Sequence, residues 1–363
     1  MLPRTIPFRA RPPWIGGTLQ TLRALRWPVT VPLPHGERLW LPLPDGDALA
    51  AMLHMPRIAR AAAAGPAPRP LAVLVHGLTG TEDDPYLREA AAGLLRRGFP
   101  VLRLNLRGSA VSNPRSTSHY HLGRTEDLSE ALAALPEALT GRGVLVAGWS
   151  LGGALAILLM ARHQGAPRIL GGAAICAPLQ PELAHATIDA NAMLGRALLG
   201  LYRREVLAVQ HARDLPGPLR EAARQARSLR EFEATVTAPR FGYPSYEVFT
   251  EVNRPAAALP LIRAPLLVLM AEDDPLVPPE SLEAIAWSDC PAVTPLLAAG
   301  GGHCGFYDLR GGGEGLSVRA LGAFFQGIAE QGETGAGAPA AGGQGAASSP
   351  SSMAEQAAGS AAA

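Results

Sequence analysis

The stretch Val144-Leu-Val-Ala-Gly-Trp-Ser150-Leu-Gly-Gly-Ala-Leu-Ala-Ile-Leu-Leu-Met160 places a glycine-flanked serine between two uncharged apolar runs. The first run predicts a buried strand and the second a helix, so the serine lies at the turn between them. This turn, Gly148-Trp-Ser-Leu-Gly152, has the G-x-S-x-G pattern of a nucleophile elbow, where a Cβ at either glycine would clash with nearby backbone. The free amide of Leu151, at the start of the helix, faces any negative charge that develops beside Ser150. Such a site suits chemistry on an acyl carbonyl.

Two other interpretations of this stretch compete. An uncharged run from 144 to 161 is long enough to cross a bilayer. However, Gly148, Gly152 and Gly153 interrupt it, and no aromatic belt or basic flank frames it. The motif could also arise by chance in a chain with 40 glycines. The catalytic interpretation of Ser150 therefore depends on partners elsewhere in the sequence.

Composition excludes several classes of function. The 363 residues include 32 basic and 31 acidic ones, and the basic residues are dispersed, so we expect no nucleic-acid partner. The cysteines Cys176, Cys290 and Cys304 lack C-x-x-C spacing, which argues against a disulfide framework or a zinc ribbon. Residues 1–14 are basic but broken by prolines, unlike a signal peptide. We therefore expect a cytoplasmic protein without a transmembrane segment.

Strand and helix patterns alternate along most of the chain. This alternation predicts an α/β fold with a mostly parallel sheet of about eight strands and helices on both faces. An antiparallel hairpin, joined by Pro44-Asp-Gly-Asp47, opens the sheet, and the last strand closes it. Strands are expected at 38–43, 48–54, 71–75, 99–104, 144–149, 170–177, 265–271 and 291–297, and helices at 86–97, 126–139, 151–163 and 316–328.

The chain is expected to divide into three parts. Residues 1–34 are rich in proline and arginine and predict an extended arm with at most a short helix near 18–25. Residues 35–330 form the main domain, in which 179–260 is a helical insertion that caps the site, because a structureless loop of that length is improbable in a compact domain. Residues 331–363 are almost wholly Gly, Ala, Ser, Gln and Glu, a composition typical of a disordered tail.

A serine nucleophile needs a base and a carboxylate that orients the base. With a nucleophile elbow, the acid follows a late strand and the histidine follows the last one. Here one strand runs into Asp273-Asp274-Pro-Leu-Val-Pro278 and the next into Gly300-Gly-Gly-His303. Asp274 has the favoured spacing to the Val-Pro pair, and Pro275 stiffens the chain after it. Asp273 is expected to cap the turn by bonding backbone N–H groups.

Further motifs accompany these residues. They are Leu19-Gln-Thr21, Pro44-Asp-Gly-Asp47, His76-Gly-Leu-Thr-Gly80, Arg107-Gly108, His121-Leu-Gly-Arg-Thr-Glu-Asp127, Gly148-Trp-Ser-Leu-Gly-Gly153, Ser228-Leu-Arg-Glu-Phe232, Asp273-Asp-Pro275 and Gly301-Gly-His-Cys-Gly-Phe306.

Together, from about Trp14 to Phe325, the set resembles the α/β-hydrolase superfamily, and within it the YheT-like branch related to the eukaryotic lipid-acting α/β-hydrolase-domain esterases. The resemblance implies an ester-hydrolysing enzyme without a cofactor, with acyl transfer to an alcohol in related members. The chain departs from the family pattern at Ala154 and Ser109, where Asn and Cys are frequent.

The His76-Gly-Leu78 motif supplies the second half of the expected site. In hydrolases of this kind the residue after His-Gly offers its N–H to the oxyanion, so Leu78 pairs with Leu151. His76 itself is expected to be structural, and a structural or solvated role is likewise expected of His119, His121 and His185.

No metal site is expected. The candidate set His303, Cys304 and Cys290 contains an adjacent pair that cannot easily share one ion, and His303 already serves the serine.

The sequence thus predicts a serine esterase acting on short- to medium-chain acyl esters or lipids. Ser150 is the nucleophile, His303 the base and Asp274 the orienting acid, while the amides of Leu78 and Leu151 hold the oxyanion. An acyltransferase is the nearer alternative, because water and alcohols compete for the same acyl-enzyme. A catalytically silent binding protein with the same fold is the more distant one. The oligomeric state stays open.

Overall fold

The computed structural model describes residues 3–26, 31–56, 69–208 and 215–336. Nine strands form one sheet in the order β1-β9-β8-β7-β6-β4-β5-β3-β2. Every pair is parallel except β2–β3 and β3–β5, so the predicted mostly parallel α/β sheet is confirmed. The strands are β1 Arg4–Ile6, β2 Glu37–Pro42, β3 Ala48–His54, β4 Leu71–Val75, β5 Val101–Leu104, β6 Val144–Trp149, β7 Ile169–Ile175, β8 Leu266–Ala271 and β9 Val293–Ala298.

Helices cover both faces of the sheet, which explains why the central strands are continuous apolar runs. Along β4, Leu71, Val73 and Val75 pack into one hydrophobic cluster, and Ala72 and Leu74 pack into the other. The helices outside the insertion between β7 and β8 are α1 Gly17–Arg26, α2 Pro85–Arg96, α3 Glu126–Ala133, α4 Glu137–Thr140, α5 Leu151–Arg162 and α13 Leu316–Ala336. The second cluster contains residues of α1, α2 and α13, and the first contains residues of α3 and α5.

The arm takes part in the sheet, which the sequence did not predict. Arg4 to Ile6 pair in parallel with Leu296 to Ala298, so β1 and not β9 lies at this edge. Ile6 is 1% exposed. A three-residue strand shows no alternating pattern of its own, and its partner lies almost at the other end of the chain. The predicted short helix near 18–25 is confirmed as α1.

Two predicted helices have different bounds. The helix expected at 126–139 is divided into α3 and α4 at Pro136, whose φ of −57° and ψ of 139° are extended. The last helix runs to Ala336, past residue 331, where the tail was expected to begin. A helix anchored by packing gains one hydrogen bond for each added residue, which offsets the weak propensity of this segment. The rest of the expected tail, 337–363, lies outside the described residues.

Residues 179–260, which we call the cap, connect β7 to β8. Its described part, 179–208 and 215–260, contains helices and no strand, as predicted. A π-helical turn, Glu233–Thr237, lies in its middle. The cap helices are α6 Pro181–Ala190, α7 Ala192–Ala208, α8 Gly217–Gln225, α9 Leu229–Phe232, α10 Ala238–Arg240, α11 Tyr246–Val252 and α12 Pro255–Ala258.

The apolar stretch around Ser150 divides into β6 and the 12-residue helix α5. In the described ranges, none of the helices combines the length and the apolarity that crossing a bilayer requires. The transmembrane interpretation of this stretch is therefore not supported.

Candidate active site

Ser150 occupies a strained turn between β6 and α5. Its φ is 52° and its ψ −123°, a conformation that residues with a Cβ rarely adopt. A Cβ on Gly148 would lie 2.0 Å from the carbonyl oxygen of Gly152, and one on Gly152 would lie 2.4 Å from that of Val75. Both glycines are thus required by the close approach of strand and helix. Leu151 begins α5, so its N–H has no acceptor within the helix and lies beside Ser150.

Ser150 opens into a cavity of about 680 Å³ at the carboxyl ends of the strands. The arm contributes Leu22 and Leu25 to its wall, and α7 of the cap contributes Leu194 and Leu198. This volume lies in the range of small-molecule sites. The expected site residues that line the cavity are Leu78, Ser150, Leu151 and His303.

His303 and Asp274 are joined by a hydrogen bond of 2.8 Å between Nδ1 and Oδ2. Asp274 also accepts the backbone N–H groups of Leu276, at 2.9 Å, and Val277, at 3.0 Å. Both side chains are buried. Burial lowers the pKa of His303, but the charge and hydrogen bond of Asp274, together with the neighbouring Cys304, outweigh it and hold this pKa well above its ordinary value. The carboxylate therefore fixes the ring and stabilises its protonated form.

Ser150 and His303 face the same cavity, yet no hydrogen bond joins them among the described residues. Only the His303–Asp274 half of a proton relay is formed. Hydrogen bonds of this kind are often long before substrate binds and tighten in the complex.

The amides around Leu78 show why its N–H is available. The N–H of Gly77 donates to the hydroxyl of Tyr86 at 3.1 Å, and that of Thr79 donates to the hydroxyl of Tyr120 at 2.7 Å. Within the described ranges the N–H of Leu78 between them has no acceptor. The N–H groups of Leu78 and Leu151 are therefore two available hydrogen-bond donors on the cavity wall, as an oxyanion site requires.

Asp273 does not cap its own turn as expected. The capping bonds to the turn amides come from Asp274, and Asp273 accepts the N–H of Gly302 at 2.8 Å instead. Gly302 precedes His303, so Asp273 ties the loop that carries the acid to the loop that carries the histidine. The two adjacent carboxylates thus bond different partners.

Helix α1 holds the histidine loop from the other side, a role that sequence reasoning missed. The hydroxyl of Thr21 accepts the backbone N–H of His303 at 2.8 Å and donates to the carbonyl of Gly17 at 2.7 Å. Gln20 bonds both backbone groups of Tyr307, donating at 2.9 Å and accepting at 2.8 Å. Both side chains are completely buried. The signal in the sequence that could have indicated this contact is the adjacent polar pair Gln20-Thr21, which lies between the apolar residues Leu19 and Leu22 of the helix.

His76, His119 and His121 are buried in the structure, and His185 is partly exposed. His76 accepts the N–H of Leu106 at 3.0 Å, a structural contact. His121 and His185 line the cavity, and burial lowers their pKa values to about 3 and about 4. Both are therefore neutral in the folded protein near pH 7.

Two glutamates of the cap lie near the site and had no sequence signal. Glu233, on the π-helical turn, is buried and lines the cavity, and its Oε2 has no hydrogen-bond partner within the described residues. Glu205 is partly exposed and accepts the hydroxyl of Tyr120 at 2.7 Å. Burial of the carboxyl groups raises the pKa of each to about 7.

The amino-acid sequence of this chain is similar to a known protein family and to several named proteins. The model of a family described as the alpha/beta hydrolase fold matches residues 70–308. YheT of Escherichia coli (strain K12), named as an esterase, is 29% identical over 295 residues, covering 75% of this chain and 78% of its own. Monoacylglycerol lipase of Saccharomyces cerevisiae is 24% identical over 67% of this chain and 56% of its own. The chain thus spans little more than half the length of that lipase.

A solved structure shares the fold as well. The puromycin-hydrolysing peptidase of Mycobacterium tuberculosis superposes with a TM-score of 0.55 and 19% sequence identity. The match covers 84% of this chain and 41% of that one. At this identity the similarity concerns the fold alone.

Proposed function

The chain belongs to the alpha/beta hydrolase family, and on that premise we propose that it is a serine hydrolase of carboxylic esters. Ser150 is the nucleophile, His303 the general base and Asp274 the residue that orients the base. The observation that carries the proposal is the 2.8 Å bond from His303 to Asp274, because it aims a buried base into the cavity that the strained Ser150 opens into. The names of YheT and of the yeast lipase support ester bonds as the target.

The first half-reaction forms an acyl-enzyme. His303 takes the proton of the Ser150 hydroxyl as its oxygen attacks the ester carbonyl, and the carbonyl electrons move onto oxygen. The amides of Leu78 and Leu151 hold that oxyanion. When the carbonyl reforms, the C–O bond to the alcohol breaks and His303 returns the proton to the departing alcohol. Asp274 stays ionised and stabilises the imidazolium throughout.

The second half-reaction repeats these steps with water. His303 removes a proton from water as it attacks the acyl carbon, and collapse of the intermediate returns the proton to Ser150. The products are a carboxylic acid and free enzyme. An alcohol in place of the water would give a new ester, which is how the same residues would act as an acyltransferase.

The cavity supports acyl chains of short to medium length. Its volume is about 680 Å³, and leucines of the arm and of α7 form much of its wall. An apolar wall of this kind stabilises a bound chain by about 0.8 kcal/mol for each CH₂ buried. The carbonyl end of the chain would lie at Ser150, and the chain would extend beneath the cap.

A panel of p-nitrophenyl esters from acetyl to palmitoyl tests the proposal. We expect hydrolysis of the shorter chains, loss of it in Ser150→Ala, and labelling of wild type by a fluorophosphonate. A folded protein that neither hydrolyses any ester nor takes up the label would be a binding protein instead. Acid as the sole product in molar ethanol would favour hydrolysis over acyl transfer.

A further inference from the structure

Two thiols lie beside the catalytic histidine. The sulfur atoms of Cys176 and Cys304 and a ring nitrogen of His303 all lie within 4.8 Å of one another. Relative exposure is 0% for Cys176, 2% for Cys304 and 4% for His303. The sequence argument against a metal considered Cys290 as the third member, whereas the structure brings Cys176 to this position. Three donor atoms therefore converge where the sequence predicted none.

The backbone explains how neighbouring residues reach one point. In an extended chain, adjacent side chains project to opposite sides. Cys304 has a φ of 64° and Cys176 one of 50°, both in the left-handed region, so neither follows that alternation. The N–H of Cys304 also donates to the sulfur of Cys176 at 3.4 Å, which holds the two loops together.

We propose that Cys176, Cys304 and His303 form a site for one zinc ion, with its fourth position open to the cavity. Two thiolates and one imidazole are the ligand types that Zn²⁺ prefers. Tetrahedral zinc with Zn–S bonds of about 2.3 Å and Zn–N bonds of about 2.0 Å holds its ligands roughly 3.5–3.8 Å apart. The three atoms, now within 4.8 Å of one another, would have to close to that spacing by side-chain rotation when the ion binds. Hard cations such as Mg²⁺ would not bind here.

The surroundings of the histidine suit a metal ligand. Asp274 already bonds Nδ1, which leaves Nε2 for the ion and gives the carboxylate–histidine–zinc arrangement that orients zinc ligands in proteins. Zinc binds the two sulfurs as thiolates and Nε2 as a neutral nitrogen, so the protons that these three groups carry pass to solvent as two Zn–S bonds and one Zn–N bond form. In the loaded site the two thiolate charges balance the charge of the ion. His303 and Cys304 line the cavity, which provides the path of entry.

Zinc bound in this way would inhibit the enzyme reversibly. The ion occupies the nitrogen that must accept the Ser150 proton, so a loaded molecule has no general base. This consequence rests on the proposed function, whereas the binding of zinc does not. A site with two cysteines and the catalytic histidine would thus couple hydrolysis to the concentration of free zinc.

Binding is measured first, without any substrate. The full chain, freed of metal and kept reduced, is titrated with Co²⁺ as a spectroscopic probe and with Zn²⁺ by calorimetry. We expect one equivalent and a thiolate-to-cobalt charge-transfer band. In Cys176→Ser the hydroxyl preserves the local hydrogen bonds but not the sulfur ligand. We expect its affinity to fall by more than about a hundredfold, since even a lost outer partner costs roughly ten- to a hundredfold.

Cys290→Ser is the matched control. Cys290 precedes β9 and His303 follows it, so the two lie beyond opposite ends of this strand. This variant should bind Co²⁺ and Zn²⁺ as wild type does. Cys304→Ser, which should also lose the band, provides a second ligand variant if Cys176→Ser does not fold.

Several outcomes would overturn the proposal. They are the absence of a charge-transfer band in wild type, an unchanged affinity in both ligand variants, and zinc that binds without inhibiting an active enzyme. Supporting results are zinc inhibition of wild type and Cys290→Ser, with Cys176→Ser active and resistant. If no variant hydrolyses esters even without metal, the proposed function fails, but the cobalt band still decides the metal site.

Discussion

Adjacent aspartates divide two tasks at the level of single residues. Asp274 bonds the ring of His303 and the two turn amides, so one carboxylate both positions the base and fixes its own loop. Within the described residues, the carboxylate of Asp273 accepts only the N–H of Gly302, in the neighbouring loop. Under the proposed function, removing the charge of Asp274 therefore acts on catalysis, and removing Asp273 acts on the connection between the loops.

Asp274→Asn should lower kcat by about 10⁴-fold, because the amide holds the imidazole in the wrong tautomer. Asp273→Ala should change kcat little and reduce the free energy of unfolding by about 1–3 kcal/mol, the cost of an unpaired backbone N–H. Steady-state kinetics and urea denaturation of both variants measure the two effects. A larger loss of kcat in Asp273→Ala would assign the relay to the other aspartate.

Ser150→Ala and His303→Ala should each abolish turnover, and the double variant should be hardly worse than either. Residues that act as one unit lose their joint contribution together, roughly a million-fold in kcat for the serine hydrolase measured most fully. Comparison of the three variants by single-turnover kinetics tests this. A tenth of wild-type activity in either single variant would contradict the assignment.

At the level of elements, α1 holds the histidine loop in position through hydrogen bonds. It reaches that loop through Thr21 and Gln20 and reaches the cavity through Leu22 and Leu25. The sequence predicted the helix but gave it no role, because amphipathic patterning reveals which face is buried and not which distant loop lies against it. The elbow was predictable in detail, since its glycines and serine are neighbours in the chain.

Thr21→Val removes the acceptor of the His303 N–H while keeping the shape of the side chain. We expect kcat to fall roughly 10- to 100-fold, with KM nearly unchanged, because a small displacement of the base affects the transition state more than binding. Thr21→Ser keeps the hydroxyl and should restore the wild-type rate. Equal loss in both variants would show that α1 contributes packing alone.

The π-helical turn of the cap makes stability depend on pH. Burial raises the pKa of Glu233 and of Glu205 to about 7, above the ordinary 4.5. A group whose pKa is higher in the folded state binds more protons there, so its contribution is full below about pH 4.5 and is lost as pH rises through 7.

Thermal unfolding should therefore show Tm falling from pH 6 to pH 8, with a shallower slope in Glu233→Gln, which remains neutral. Glu221→Gln, on an exposed face of α8, is the control and should keep the wild-type slope. Identical slopes in Glu233→Gln and wild type would mean that Glu233 is ionised in the folded protein.

Across the whole molecule, the sheet is completed by contacts between the two ends of the chain. Both the β1–β9 pairing and the bond from His303 to Thr21 join residues more than half the chain apart. Sequence patterns found β9 and the histidine loop, because the first is an apolar run and the second follows it. The sequence patterns missed the strand β1 and the burial of Glu233, because both depend on contacts with residues that are distant in the sequence.

Ile6→Ala should lower the free energy of unfolding by about 2–5 kcal/mol, the range for a truncated core isoleucine. Arg4→Ala, at an exposed position of the same strand, should change it by less than about 0.5 kcal/mol. Both variants should keep kcat, because neither residue lines the cavity. Equal free energies of unfolding for the two variants in denaturant titrations would show that β1 does not take part in the cooperative unfolding of the domain.

The bond between Thr21 and His303 spans 282 positions, and this sets an order of events during synthesis. Helix α1 is synthesised before the histidine loop and must wait for it, which at 5–20 residues per second means roughly 15–60 s. Until then the nascent chain lacks both the proposed base and the contact of α1 with its loop. Under the proposed function, an interrupted translation product that ends before His303 would therefore be inert, and only chains that extend past the histidine loop could hydrolyse an ester.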